Sequence, residues 1–237
     1  MDNAIYAALT RQSGLMNEMR AVANNMANSA TTGFRREGVV FSEHLTAIGP
    51  GRETLSMANA RGRDVDLTPA SLSQTDGRLD LALEREGFFM VETPQGNRLT
   101  RAGAFMTSAE GELVNADGHR VLDDGQAPIA LPPDARSVGV GPDGTISADG
   151  LPIARIGVFD QPDRAQLRHE GGTLFAPGNA EPVEEPLVRQ GFLEESNVNP
   201  VLELARMIEV QRAYELGQSF LDGEDQRIRS VISATTR

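Results

Sequence analysis

Ile5, Leu9, Gln12, Met16, Met19, Ala23 and Met26 recur at spacings that alternate four and three. That alternation is the seam of a coiled coil, so it predicts a helix from Asn3 to about Asn28. At 1.5 Å per residue the helix is roughly 39 Å long. Asp2 or Asn3 is placed to cap its start, and Gly33 lies just beyond its end. A second helix is expected from Asn199-Pro200, an N-cap residue followed by proline at the first helical position. No second proline occurs from Val201 to Ile232. One apolar stripe of this helix runs through Val201, Leu204 and Ile208 and weakens to Gln211, Glu215 and Gln218, with Tyr214 close by. The other takes Val210, Ala213, Gly217 and Phe220, and a helix apolar on two sides requires more than one neighbour. Gly217 and Gly223 are its weak points, at about 1 kcal/mol each relative to Ala.

Between the helices the periodicity changes. Glu110-Gly111, Asp117-Gly118, Asp124-Gly125, Asp143-Gly144 and Asp149-Gly150 punctuate short apolar segments such as Leu113-Val114, Val121-Leu122 and Ile153 to Phe159. Acid-glycine pairs suit tight hairpin turns, so this stretch predicts an antiparallel β domain. Calcium-binding repeats are disfavoured because the glycine-rich nonapeptide is missing. Residues 42–68, with Gly49-Pro50-Gly51, read as a connector of low structural commitment. The fold class expected is α+β, with terminal helices that form a discontinuous coiled coil flanking a mainly antiparallel β centre. The boundaries are 1–35 for the first helix, 36–69 for the connector, 70–193 for the β domain and 194–237 for the last helix.

Charge narrows the partners. The net charge is -12, and all 22 basic residues are Arg. Residues 1–40 carry +1, 41–193 carry -10 and 194–237 carry -3, which places the acidity on the centre and leaves the ends nearly balanced. An acidic surface of this kind resists non-specific association and argues against nucleic acid as a partner. No run reaches the roughly 18 apolar residues of a membrane span, so no membrane insertion is expected. Met1-Asp2-Asn3-Ala4-Ile5 lacks the basic-then-apolar order of a cleaved signal peptide. Cysteine is absent, which removes disulfides, thiol nucleophiles and thiolate metal sites together.

Catalytic chemistry has little to stand on. His44, His119 and His169 lie far apart, none with a second ligand at helical metal-binding spacing. Without Lys there is neither a P-loop nor a Schiff base, and the Gly-x-Ser-x-Gly elbow is absent. Asp123-Asp124 and Glu184-Glu185 read as solvated turn residues. No enzyme activity, cofactor or metal is expected. What stands out is Ala23-Asn24-Asn25-Met26-Ala27-Asn28, because Asn competes with the helix for backbone hydrogen bonds. Two readings of Asn24, Asn25 and Asn28 stand at this point: a fraying helix end, or amides that bond to neighbouring subunits and fix register.

Gln12-Ser13 to Leu15, the Asn patch, and Gly33-Phe34-Arg35-Arg36 together resemble the N-terminal signature of the flagellar axial proteins, the rod and hook subunits. The resemblance continues through Leu79 to Leu83, Gly87 to Val91, Leu99 to Phe105 and Gly111 to Val114. It closes with Glu195 to Val201 and Met207 to Glu215, so it spans nearly the whole chain in order. Length, the modest β domain and Val140 to Ser147 are most similar to proximal-rod subunits, with distal-rod or hook-type subunits next. One departure is Thr75-Asp76-Gly77-Arg78, where the family usually has a Thr-Gly-Asn-Pro-like turn. The resemblance implies a structural subunit of the flagellar basal body, exported through the flagellar export apparatus. It implies homo- and hetero-oligomeric helical assembly with other rod subunits. Ile5, Leu9, Gln12, Met16, Met19, Asn24, Asn25, Asn28, Val201, Leu204, Ile208, Gln211 and Tyr214 are the expected assembly residues. A secreted β-domain adhesin would account for the centre but not for the paired end helices.

Overall fold

The computed structural model describes residues 2–47, 54–163 and 167–235, and side chains within 8–40, 64–163 and 167–234. The chain forms two compact units. One comprises Met1–Ala27, Glu37–Asp64 and Asn199–Arg237, and the other comprises Asn28–Arg36 and Val65–Val198. The α+β expectation holds: helices near the two ends flank a β-rich centre whose strand pairs are antiparallel.

In the first unit, α1 (Asp2–Ala27) packs against α2 (Pro200–Thr235). Asn199 caps α2 as expected, its Oδ1 accepting from the N–H groups of Val201 and Leu202 at 3.1 and 3.2 Å. The expected connector is corrected. Its residues carry β1 (Glu37–Ala47) and β2 (Thr54–Val65), paired as a two-stranded sheet. The missed signal is the period-2 pattern of Leu55 and Met57 around Ser56, together with the β-branched Val39-Val40. Gly49-Pro50-Gly51 and the His44 side chain lie outside the described residues.

The second unit is organised on the strand Phe88–Thr93, which is buried on both faces. Phe89 and Val91 enter one core with Leu81, Phe105, Leu113, Val121, Ile146 and Ile156. Phe88 and Met90 enter a second core with Leu99, Leu122, Phe159 and Phe175. That strand pairs with Gly96–Thr100, Arg120–Val121 and Val158–Asp160 inside a nine-stranded sheet. Smaller sheets pair Leu81–Leu83 with Val188–Gln190 and Leu72–Gln74 with Phe192–Glu194. Gly103 lies so close to the Leu81 carbonyl that an added Cβ would stand 1.7 Å from its oxygen, so no other residue fits there.

The acid-glycine pairs make turns, Asp124-Gly125 among them, where the Gln126 N–H donates to the Asp123 carbonyl at 3.0 Å. Asp149 and Gly150 both have positive φ, 50° and 83°, and join the paired residues Ala148 and Leu151 as a two-residue hairpin. At Asp124-Gly125 the left-handed residue is instead Gln126, at φ 62°. Asp76 takes φ 58° where the family's turn has glycine, held by Gln74 Nε2 donating to its carboxylate at 2.7 Å. Asp replaces Gly there because a short polar side chain tolerates the left-handed region.

The Asp149 carboxylate accepts from the Ser137 N–H at 2.9 Å and the Arg136 N–H at 3.1 Å, and these bonds lower its pKa below 3.8. A lowered carboxylate stabilises the fold above its unfolded pKa, and that stabilisation is lost as pH falls through the folded value. Asp143, bonded by Thr145, and Asp66 behave alike. In Asp66 burial opposes the shift, but the Thr68 hydroxyl and N–H with Arg36 and Arg35 outweigh it. The melting temperature should therefore fall as pH drops below about 4, and Asp149→Asn should make that fall shallower in scanning calorimetry.

Candidate assembly surfaces on the terminal helices

The seam between α1 and α2 is mixed rather than apolar. Leu15, Ala21, Val22 and Val210 are buried there, but so are Gln12, Glu18, Asn25 and Glu203. Each polar member has a partner on the other helix. Glu18 Oε1 accepts from Arg206 Nε at 2.6 Å. Asn25 Nδ2 donates to Glu203 Oε2 at 3.2 Å, and Gln12 Nε2 donates to the Tyr214 carbonyl at 3.0 Å. Along α2 a heptad of less exposed positions runs Glu203, Met207, Val210, Tyr214, Gly217, Leu221, which shares Val210 and Gly217 with the second expected stripe but begins at a glutamate that periodicity does not count. Burial is the largest single influence on Arg206 and opposes its protonation, yet its bonds to Glu18 and Glu209 together with their charges raise its pKa above the usual value.

The expected assembly residues divide accordingly. Leu9 is 50% exposed, and Val201, Leu204 and Ile208 are 73%, 51% and 42% exposed. Gln211 is exposed, while Met16, Met19 and Tyr214 are partly buried. The Ile5 side chain lies outside the described residues. Of the expected set the structure brings together Gln12 and Tyr214, through the Tyr214 carbonyl.

The Asn patch divides. Asn25 is fully buried, and its amide is bonded within the chain: Nδ2 also donates to the Glu37 carbonyl at 2.8 Å, and Oδ1 accepts the Glu37 N–H at 2.9 Å. It ties the start of β1 to α1. Asn28 accepts from the Thr31 hydroxyl at 3.2 Å, and with residues 28–36 it belongs to the second unit. Asn24 is partly buried.

Within the second unit, residues 33–36, 66–71 and 194–197 are stitched together. The Gly33 N–H donates to the Glu194 carbonyl at 2.7 Å, and the Arg36 N–H to Asn197 Oδ1 at 2.7 Å. Asn197 Nδ2 donates to the Asp66 carbonyl at 2.8 Å. Gly33, expected as a helix stop, instead lets the chain approach Ala102, where a Cβ would stand 2.2 Å from the backbone nitrogen. At the centre Glu194 Oε1 meets Arg35 Nη2 at 2.6 Å and Oε2 lies 3.2 Å from Arg101 Nε, all three side chains at most 4% exposed. Burial pushes the Arg101 guanidinium down to about 10, although Glu194 opposes the shift, so Arg101 is still charged at neutral pH.

Among the described residues no group of three His, Cys, Asp or Glu is arranged to hold a metal ion, and no helix is long and apolar enough to cross a membrane. The family model described as flagellar hook protein FlgE/F/G D1 domain matches residues 82–148, and that described as flagellar basal body rod FlgEFG protein C-terminal matches 189–234. The chain is 37% identical to flagellar basal-body rod protein FlgF of Caulobacter vibrioides, over 98% of this chain and 97% of the relative. It is 36% identical to FlgF of Mesorhizobium japonicum, over 98% and 99%. It is 27% identical to flagellar basal-body rod protein FlgG of Bacillus subtilis, over 98% and 99%.

Glu194→Gln would leave two buried guanidiniums without a counter-charge. It should lower the free energy of unfolding of the β unit by about 3–5 kcal/mol, read as an earlier urea midpoint at unchanged slope. Asn25→Ala should cost about 1–3 kcal/mol by removing the buried bonds of its amide to the Glu37 backbone and Glu203.

Proposed function

We propose, since this chain belongs to the flagellar basal-body rod protein family, that it is a structural subunit of the proximal rod that assembles with other axial subunits through α1 and α2. The observation that carries this reading is the exposed apolar surface of the helices. Val201, Leu202, Leu204, Ile208, Leu216 and Phe220 are each 42–73% exposed. Burying such side chains fully is worth about 1.5–3 kcal/mol each, and only a partner can supply the rest of that burial. A head-to-tail contact whose rotation does not close builds an open helical polymer, the geometry of a rod.

Greater identity to FlgF than to FlgG over the same span favours the proximal position. A purely structural role without catalysis accords with the solvated acidic surface and the small polar clusters of the β unit. The site of action is the basal body, where the rod crosses the periplasm, and the route there is the flagellar export apparatus. The α1–α2 seam buries few large apolar side chains, so the helices become firmly ordered only when neighbouring subunits cover them.

Ile208 and Ile156 separate assembly from folding. Ile156 is 1% exposed in the β core, whereas Ile208 is 42% exposed on α2. Ile156→Asp should destabilise the isolated protein by several kcal/mol, roughly 3–5. Ile208→Asp should leave its thermal unfolding nearly unchanged yet abolish incorporation into basal bodies and motility. Equal loss of melting temperature in the two variants, or normal swimming with Ile208→Asp, would overturn the assembly role of this face.

A further inference from the structure

The α1–α2 groove holds a buried hydrogen-bond acceptor that has no donor. Gln12 is 8% exposed, and its Nε2 donates to the Tyr214 carbonyl. A carbonyl only accepts, so the amide nitrogen must face Tyr214 and Oε1 must face away. Oε1 is buried and unpartnered. Gly217 makes the arrangement fit, because a Cβ there would stand 2.8 Å from Gln12 Nε2. Gln12 lines a groove of about 490 Å³ whose other walls are Ala8, Leu15, Ala213, Leu216, Gly217 and Phe220, together with the exposed Arg11. Mostly apolar walls around one buried acceptor suit a helix with aliphatic side chains and a neutral donor among them, and Arg11 disfavours a cationic donor there.

This chain carries such a segment. Val201, Leu204, Ile208 and Gln211 follow at spacings of three, four and three on an exposed face of α2, three aliphatic side chains and then a primary amide. We propose that the groove receives this face of α2 from a second copy of the chain, with Gln211 Nε2 donating to Gln12 Oε1. The inference rests on the assembly reading above and adds a partner and a register to it. Sliding the incoming helix by one turn would set either the Ile208 side chain or the Glu215 carboxylate against Oε1, neither of which donates, and a buried acceptor left unpaired disfavours that register by a factor of about ten or more. Apolar contacts alone would tolerate the slip, so the amide pair selects the axial setting.

The chain has no cysteine, so single cysteines report without background. Two alleles, tagged Gln12→Cys and untagged Gln211→Cys, would be co-expressed in cells lacking the native copy, with assembled basal bodies oxidised and run on non-reducing gels. A mixed dimer is expected, absent with either allele alone and absent when Gln211→Cys is replaced by Gln218→Cys. Basal bodies that contain both alleles without a mixed dimer would overturn the pairing and leave the assembly reading standing. A disulfide from Gln12→Cys to a cysteine placed in a different axial protein, in place of the mixed dimer, would overturn the second-copy assignment. Absence of the wild-type chain from basal bodies would overturn the assembly reading itself. Should the cysteine variants fail to assemble, leucine variants decide. Gln12→Leu alone should leave the monomer's melting temperature unchanged or higher and cut basal-body yield at least tenfold. Adding Gln211→Leu should restore it, and failure of the double variant to restore assembly would also overturn the pairing.

Discussion

Glu203 is 2% exposed while its neighbours Leu202 and Leu204 are 66% and 51% exposed. On a helix, adjacent residues lie about 100° apart, so a modest rotation of α2 would bury leucine and release glutamate to water. The hydrophobic effect alone favours that rotation. What opposes it is the set of bonds from Glu203 to Asn25, Arg206 to Glu18 and Gln12 to Tyr214, each of which would be broken with at least one buried polar group left unpaired. Polar pairs therefore set the rotation of α2 on α1, and the apolar face is held outward as a consequence. A polymerising surface needs this property: if the helices could satisfy their own leucines, no neighbour would be required.

The β unit solves a different problem. Its strand Phe88–Thr93 has core on both sides, so every residue from Phe88 to Val91 is apolar and alternation disappears. Around that strand the segments 33–36, 66–71 and 194–197 are fixed to one another by backbone and amide bonds. A carboxylate between two guanidiniums is an expensive thing to bury, and an apolar triad of similar volume is often as stable. Directional bonds, unlike apolar contacts, hold three separate segments in a single arrangement. That distinction gives Arg35, Arg101 and Glu194 a role that leucines could not fill.

Helix positions, the α2 cap and most hairpin turns were legible in the sequence, because each depends on local chemistry: proline at the first turn, an Asn oxygen, an acid beside a glycine. The side of α2 that faces its partner was only partly legible. The stripe through Ile208 is regular, and for a monomer that regularity points inward, yet here it marks a surface left in water. On α1 the regular stripe divides, with Gln12 buried, Met16 and Met19 partly buried and Leu9 half exposed. The seam also passes through Glu18, Asn25 and Glu203, residues that periodicity scores as noise. Asn25 stands out in the sequence as a poor helix former, but its intrachain partner was not legible, since nothing local shows that the Glu37 backbone, twelve residues on, would meet its amide. The hairpin β1–β2 was hidden by its polar and glycine-rich composition, which also describes a connector.

Several helix positions therefore hold residues that weaken an isolated helix. Gly217 costs about 1 kcal/mol relative to Ala, and Asn25 is also a poor helix former. In a protein selected only for monomer stability, Gly217→Ala would be an obvious gain, but a methyl there collides with the Gln12 amide. Gln12 in turn is held with its oxygen turned away from Tyr214 and unpaired. The local propensity lost at Gly217 permits one bond inside the chain, and that bond fixes an acceptor which the chain itself leaves unsatisfied. Conflicts between local and global preference mark places where folding of the single chain is not the only requirement on the sequence. Here the conflict runs from a backbone position on α2, through one amide, to an unpaired acceptor in the groove between the helices.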